Sequence, residues 1–255
     1  MVGRMNQVQR MLGIQELFLR QEFVNFEELS ELFSASKSTI RRDLMELEQR
    51  NVLRRVHGGA ISLQMRDEAM DFNRLSGSSH DEKSRIGALA ASMIEEGQTV
   101  IMSGGSTVVE VARQLGNKSV QIVTNSIPVA QIFWDNKQVE VTITGGYLFP
   151  RLGVQLGPIC EKMLKDVSAD LLILGIRGIT AAGISDTNSL IVESLRSMIR
   201  SAQKVIVVAD SSKFGRNAMI HVAPLSEVDQ VVSDSALSAE HRQMLDGQSV
   251  AYTLA

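Results

Sequence analysis

The chain has 255 residues, 44% of them hydrophobic, enough for one large core or for a large and a small one. Its formal net charge is −3, which excludes a molecule that is polybasic throughout, so charge has to be read locally. One cysteine (Cys160) excludes an intrachain disulfide, no apolar run approaches the ~18 residues that cross a bilayer, and no signal-peptide core is present; together these predict a cytoplasmic protein that does not engage a membrane.

Residues 1–63 read as helices followed by a hairpin. Val8, Met11, Leu12, Gln15 and Leu19 mark one face of a first helix, and a short second helix is expected over about Phe26 to Phe33. After the turn Ser34-Ala35-Ser36 comes a third helix, N-capped by Ser36, with Ile40, Leu44 and Leu47 apolar at i, i+4 and i+7. Val52 to His57 and Ala60 to Leu63 flank Gly58-Gly59 and predict a small β-hairpin, the two glycines permitting a tight turn. Two helices joined by a short turn, the second with polar and basic residues, form a helix-turn-helix; a hairpin behind them makes a wing. This predicts an α+β winged helix that binds double-stranded DNA. Lys37, Ser38, Thr39, Arg41 and Arg42 stand on the N-terminal half of the recognition helix, while Arg54, Arg55 and His57 stand on the wing. An arginine there offers a bidentate fork to guanine, and short hydroxyls suit phosphates or base edges. Over residues 1–60 basic residues exceed acidic ones by only one, so binding depends on where the arginines are placed.

Gln64 to Ser79 is polar, aperiodic and rich in Ser and Gly towards its end, and is expected to be a linker (64–79). From residue 80 to 255 the pattern alternates strand and helix. Strands are expected at Thr99–Met102, Val120–Thr124, Val139–Thr144, Leu171–Ile176, Lys204–Ala209, Val228–Ser233 and Val250–Leu254. Helices are expected at about 81–95, 106–115, 128–134, 158–167, 189–202 and 239–245. Continuous apolar strands between amphipathic helices predict an α/β domain whose mostly parallel sheet is covered on both faces.

Ligands of open α/β sheets bind beyond the carboxyl ends of the strands, which directs attention to the loops there. Ser103-Gly104-Gly105-Ser106-Thr107 lies between a strand and a helix, where glycines admit an anion to backbone N–H groups and the helix N-terminus favours negative charge. No Gly-Lys-Ser/Thr follows, so it is not a nucleotide-binding P-loop. Thr124-Asn125-Ser126, Gly145-Gly146, Gly175 to Gly178 and Asp210-Ser211-Ser212-Lys213 fall at the same sheet edge. Lys213 is the first candidate partner for a phosphate or carboxylate, Arg151 and Arg177 are secondary ones, and Glu193 is a candidate for sugar hydroxyls. The four histidines are scattered and no cluster has ligand spacing, so neither a metal nor a cofactor is expected.

Ser38-Thr39-Ile40-Arg41-Arg42-Asp43-Leu44 with Leu47, followed by Leu53-Arg54-Arg55-Val56-His57-Gly58-Gly59-Ala60, closely resembles the N-terminal signature of the DeoR family of bacterial sugar-metabolism regulators. The Thr-Asn-Ser, Gly-Gly and Asp-Ser-Ser-Lys-Phe strings match recurrent motifs of the same family, so the resemblance covers nearly the whole chain. It implies a C-terminal sensor domain similar to ribose-5-phosphate isomerases, glucosamine-6-phosphate deaminases and coenzyme A transferases, responsive to a phosphorylated sugar or related metabolite. Ser103 stands where many relatives carry Asp, Val108 where many carry Thr, and Arg177 where the residue is often small or acidic. The added arginine suggests a more acidic effector, such as a sugar-acid phosphate. The expectation is a repressor of a carbohydrate-utilisation operon, acting as a homodimer or homotetramer on a two-half-site operator. The competing expectation, a sugar-phosphate isomerase or deaminase with a DNA-binding appendage, has acidic candidates in Asp186, Glu193 and Asp210 but no matching catalytic pattern.

Overall fold

The computed structural model describes residues 7–18, 23–50, 52–56, 58–62 and 80–255. They divide between two compact units, Met1–Arg74 and Leu75–Ala255. Leu19, His57 and the segment 64–79 expected as a linker lie outside the described residues.

In the N-terminal unit α1 (Gln7–Phe18), α2 (Phe26–Leu32) and α3 (Lys37–Gln49) pack over a core of Met11, Ile14, Phe18, Val24, Leu29, Ile40, Leu44, Leu47 and Leu53. The buried face of α1 is rotated from the one expected: Met11, Ile14 and Phe18 point inward at i, i+3 and i+7, while Leu12, a further 100° round, is 55% exposed. Ser36 caps α3, its Oγ accepting from the Thr39 N–H at 3.2 Å. The hairpin of β2 (Leu53–Val56) and β3 (Gly59–Ser62) gains a third strand, β1 (Phe23–Asn25), too short to show a period in the sequence. The tight turn needs only Gly58 at φ +85°; Gly59 is already a strand residue, opposite Val56 on one side and Asn25 on the other.

A charged contact sits inside this small core. Asp43, on the buried side of α3, receives the Arg10 guanidinium in two hydrogen bonds, Nε–Oδ2 at 2.5 Å and Nη2–Oδ1 at 3.2 Å. The hydrogen bond to Asp43 outweighs burial and holds the Arg10 pKa above its already high value.

The C-terminal unit centres on an all-parallel seven-stranded sheet in the order β15-β14-β12-β9-β4-β5-β6. These strands are β4 (Thr99–Met102), β5 (Val120–Thr124), β6 (Val139–Ile143), β9 (Ala169–Gly175), β12 (Ala202–Val208), β14 (Gln230–Ser233) and β15 (Ala251–Leu254). Between and beside them run α4 (His80–Ser92), α5 (Ser106–Gln114), α6 (Ile127–Ile132), α7 (Pro158–Lys165), α8 (Ser189–Arg200) and α9 (Ala239–Gly247). Ile101, Leu172, Leu174, Val207 and Val231 pack with Val192, Leu195 and Met198 in the main core. Strand numbers climb outward in both directions from the β9–β4 pair, which makes it a topological switch point. Five short strands lie outside the main sheet and were not expected: the hairpin β7 (Tyr147–Phe149) with β8 (Val154–Leu156), and the sheet of β10 (Gly178–Thr180), β11 (Gly183–Asp186) and β13 (Ile220–Ala223). Each is three or four residues long, and β11 is buried throughout, so alternation is not visible.

Asp43→Asn keeps the shape of the side chain but leaves Arg10 as a buried cation without its carboxylate. Unfolding of the N-terminal unit, followed by urea titration, is expected to show a loss of about 3–5 kcal/mol, far above the effect of Glu46→Gln in the exposed Glu46–Arg50 pair.

Candidate functional site

On α3 the buried positions Ile40, Asp43, Leu44 and Leu47 fix which residues look away from the core. At 100° per residue the opposite side carries Ser38, Arg42, Met45 and Gln49. Arg41 is a quarter turn off this line, its guanidinium 5.4 Å from the Phe26 ring centre on α2. Lys37 is exposed but paired with Glu27 (2.7 Å), whose carboxyl is held below its ordinary range by that lysine. Thr39 and Ser38 both share hydrogen bonds with the Ser36 hydroxyl, at 2.8 and 2.9 Å.

Arg55 is held back by the recognition helix. Its Nε donates to Glu48 Oε2 at 2.6 Å and its backbone N–H donates to Oε1 of the same carboxylate at 2.9 Å. The Phe26 N–H donates to the Gly58 carbonyl (3.1 Å), tying the wing turn to the start of α2. Arg54 belongs to β2, opposite Ile61, and His57 lies outside the described residues. Arg42 is exposed and makes no ion pair with a described residue, unlike Lys37 and Arg55.

The C-terminal unit has a cleft of about 790 Å³, counting the open space at its mouth, beyond the carboxyl ends of β4, β5, β9 and β12. Of the residues expected there, Gly104, Gly105, Ser106, Thr107, Asn125, Arg177 and Lys213 line it. Gly105 caps α5 at φ +131° without any side-chain hydrogen bond, which leaves the first-turn N–H groups of the helix for a ligand or water. A Cβ on Gly104 would stand 2.3 Å from Val154 Cγ1, so the loop closes against β8 only with glycine there. Asn125 is buried; its Nδ2 donates to the Gln155 carbonyl at 2.9 Å, while its Oδ1 has no protein partner.

Two cleft residues escaped the sequence reading. Lys83, on α4, is only 3% exposed and brings its ammonium into the same cleft as Lys213. Burial pushes the Lys83 pKa down, nearby Lys213 adds to the fall, and Asp210 and Glu110 oppose it. A lysine in the first turn of an amphipathic helix gives no sequence sign of facing inward. Asp186, considered before only as a catalytic acid, lines the cleft beside Arg177. Burial raises the Asp186 pKa, against hydrogen bonds from Thr187 and the charge of Arg177; burial likewise lowers that of Arg177. Leu152, Val154, Leu156, Ile191 and Leu195 form an apolar wall.

The remaining candidates serve the frame. The Ser103 Oγ accepts from the Gly175 N–H (3.0 Å) and joins β4 to β9. Thr124 is fully buried, its Oγ1 donating to the Met102 carbonyl at 2.7 Å and accepting from the Ser126 N–H at 3.0 Å. A Cβ on Gly146 would stand 2.6 Å from the Leu156 carbonyl oxygen, and the Gly145 N–H donates to the Gln155 side chain. Both glycines serve the packing of β8 and do not line the cleft. Arg151 is exposed and outside the lining, and Glu193 is paired with Arg196 at 2.7 Å on α8.

Comparison with known proteins matches both units. The DeoR-like helix-turn-helix domain matches residues 10–66, and the DeoR C terminal sensor domain matches residues 78–235. The chain is 36% identical over 243 residues to the glycerol-3-phosphate regulon repressor of Escherichia coli, covering 94% of this chain and 96% of that one. It is 30% identical to the HTH-type transcriptional repressor GlcR of Bacillus subtilis (96% and 95% covered) and 31% identical to the L-fucose operon activator of Escherichia coli (88% and 94% covered). Among solved structures, ribose 5-phosphate isomerase A of Methanocaldococcus jannaschii aligns with 54% of this chain and 55% of its own at 16% identity, with a TM-score of 0.40. With a helix-turn-helix in one unit, a sensor domain in the other and relatives matched over almost their full length, this chain belongs to the DeoR family of transcriptional regulators.

Proposed function

We propose that the protein is a sequence-specific repressor of a carbohydrate-utilisation operon and that a small monophosphorylated sugar or polyol, held in the cleft beyond β4 and β9, sets its affinity for DNA. The observation that carries this reading is the convergence of the uncapped N-terminus of α5 with Lys83 and Lys213. The lining brings three basic residues, Lys83, Arg177 and Lys213, together with Asp186, and Asp210 stands 3.6 Å from Lys213 Nζ. Basic groups gathered at a helix N-terminus suit one phosphate. With Arg177 beside Asp186, a sugar carboxylate is not part of this reading. The relative named for glycerol 3-phosphate supports a small ligand of this charge.

In this reading Arg42 faces base edges, Arg41 and Ser38 flank it, and Lys37 and Thr39 belong to the phosphate-facing margin. A homodimer or homotetramer presents two recognition helices to successive major grooves. The cleft senses and does not turn over its ligand; conversion of sugar phosphates by the purified protein would overturn that part.

Binding to DNA from the protein's own upstream region, followed by fluorescence anisotropy, is expected to weaken by about 1–3 kcal/mol in Arg42→Ala, with the loss confined to particular bases. Equal affinity for random DNA at moderate salt would sink the repressor reading. For the cleft, Lys83→Met is expected to cost about 1.5–3 kcal/mol of phosphate-ester affinity by calorimetry. The protonated Lys83 attracts the anion and the neutral amine does not. Wild-type affinity therefore falls as pH rises through the depressed Lys83 pKa, before an ordinary lysine titrates, and Lys83→Met lacks that alkaline limb.

A further inference from the structure

β6 ends the seven-stranded sheet, and no described strand pairs with its outer edge. It reads Val139-Glu140-Val141-Thr142-Ile143. The Thr144 N–H donates to the Thr124 carbonyl across the β5–β6 ladder at 3.0 Å. Backbone direction alternates every residue, so Glu140 and Thr142 also turn their N–H and C=O groups towards β5. Val139, Val141 and Ile143 turn theirs to the open edge. The side chains of these same three residues form, with Ile127, Ala130 and Trp134 around α6, an apolar groove. Trp134 is 86% exposed and Ile143 43%. The strand carries no proline and no lysine, the residues with which sheet edges are usually protected.

The register of this edge selects its occupant. A second copy of β6, laid antiparallel about a two-fold axis at Val141, puts Val139 opposite Ile143, Val141 opposite its own copy and Glu140 opposite Thr142. All outward backbone groups then meet a partner, and the only charge on the strand faces a hydroxyl. An axis at Glu140 sets two carboxylates against each other, and an axis at Thr142 leaves Val139 without a strand partner. We propose that the protein dimerises through the β6 edge on a two-fold axis at Val141, joining two seven-stranded sheets into one and bringing both apolar grooves together on the same face. The interface is isologous, as a two-fold dimer requires, and it rests on the dimer reading given above.

Engineered cysteines test the register. Directly opposed residues of a hydrogen-bonded antiparallel pair have Cα atoms about 5.5 Å apart, inside the disulfide range of about 4.4–6.8 Å. The natural cysteine, Cys160, is single and buried. Under mild oxidation of the full chain, Val141→Cys is expected to run at twice the chain mass on a non-reducing gel, while Glu140→Cys, which would face Thr142, does not. Light scattering of Val141→Lys is expected to show half the wild-type mass. A wild-type monomer in light scattering would overturn the dimer reading and the interface together. A wild-type oligomer in which Val141→Cys cross-links no better than Glu140→Cys would overturn the interface alone. The cross-linking contrast does not depend on Val141→Lys folding.

Discussion

The Ser103 hydroxyl accepts a hydrogen bond from the Gly175 N–H where β4 and β9 end side by side. From this pair the chain departs to opposite flanks of the sheet: β5 and β6 follow on one side, β12, β14 and β15 on the other. Helices that follow diverging strands cannot both cover the gap between them, so a crevice opens at that point. The cleft residues inherit their position from it. Gly104 to Thr107 arrive after β4, Arg177 after β9, and Lys213 shortly after β12. Lys83 and Asp186 complete the charge from elements outside the sheet.

What was legible in the sequence and what was not follows from this geometry. The inner strands of the main sheet, such as β4, β9 and β14, are buried on both faces and read as continuous apolar runs, so the order of strands along the chain was visible. Their order in the sheet was not, because it depends on pairing between segments far apart in sequence. Loops after strands were visible as sites because glycine and hydroxyl residues punctuate the pattern. Gly145, Gly146 and Thr124 share that punctuation with Gly104 and Gly105 but serve backbone packing, a distinction that only the approach of β8 or of the Met102 carbonyl reveals. Lys83 shows the reverse case: it looks like a solvated helix residue and is almost entirely enclosed.

The N-terminal unit was read more fully, since Ser36, Ile40, Leu44 and Leu47 announce α3 by cap and period. Its electrostatics were not. Asp43 falls between apolar positions and looks like a surface charge until Arg10 is seen across from it. The pair ties α1 to α3, and Asp43 with Ile40, Leu44 and Leu47 sets which residues of α3 face away from the core. A turn of α3 by one residue would present Arg41 or Asp43 where Arg42 now stands.

Glu48 holds Arg55 by both side chain and backbone, and Glu27 holds Lys37. Two of the basic residues that stand nearest to DNA in the sequence pattern are thus partly neutralised within the unit itself. A regulator searches a genome in which non-operator sites outnumber the operator by about a million or more, and general phosphate attraction is felt equally at all of them. In the DNA-binding reading proposed above, charge sequestered in this way would lower the background hold on bulk DNA while leaving Arg42 available. The internal ion pairs would then act on the ratio of operator to bulk occupancy, and the near-neutral balance of the first sixty residues would serve discrimination.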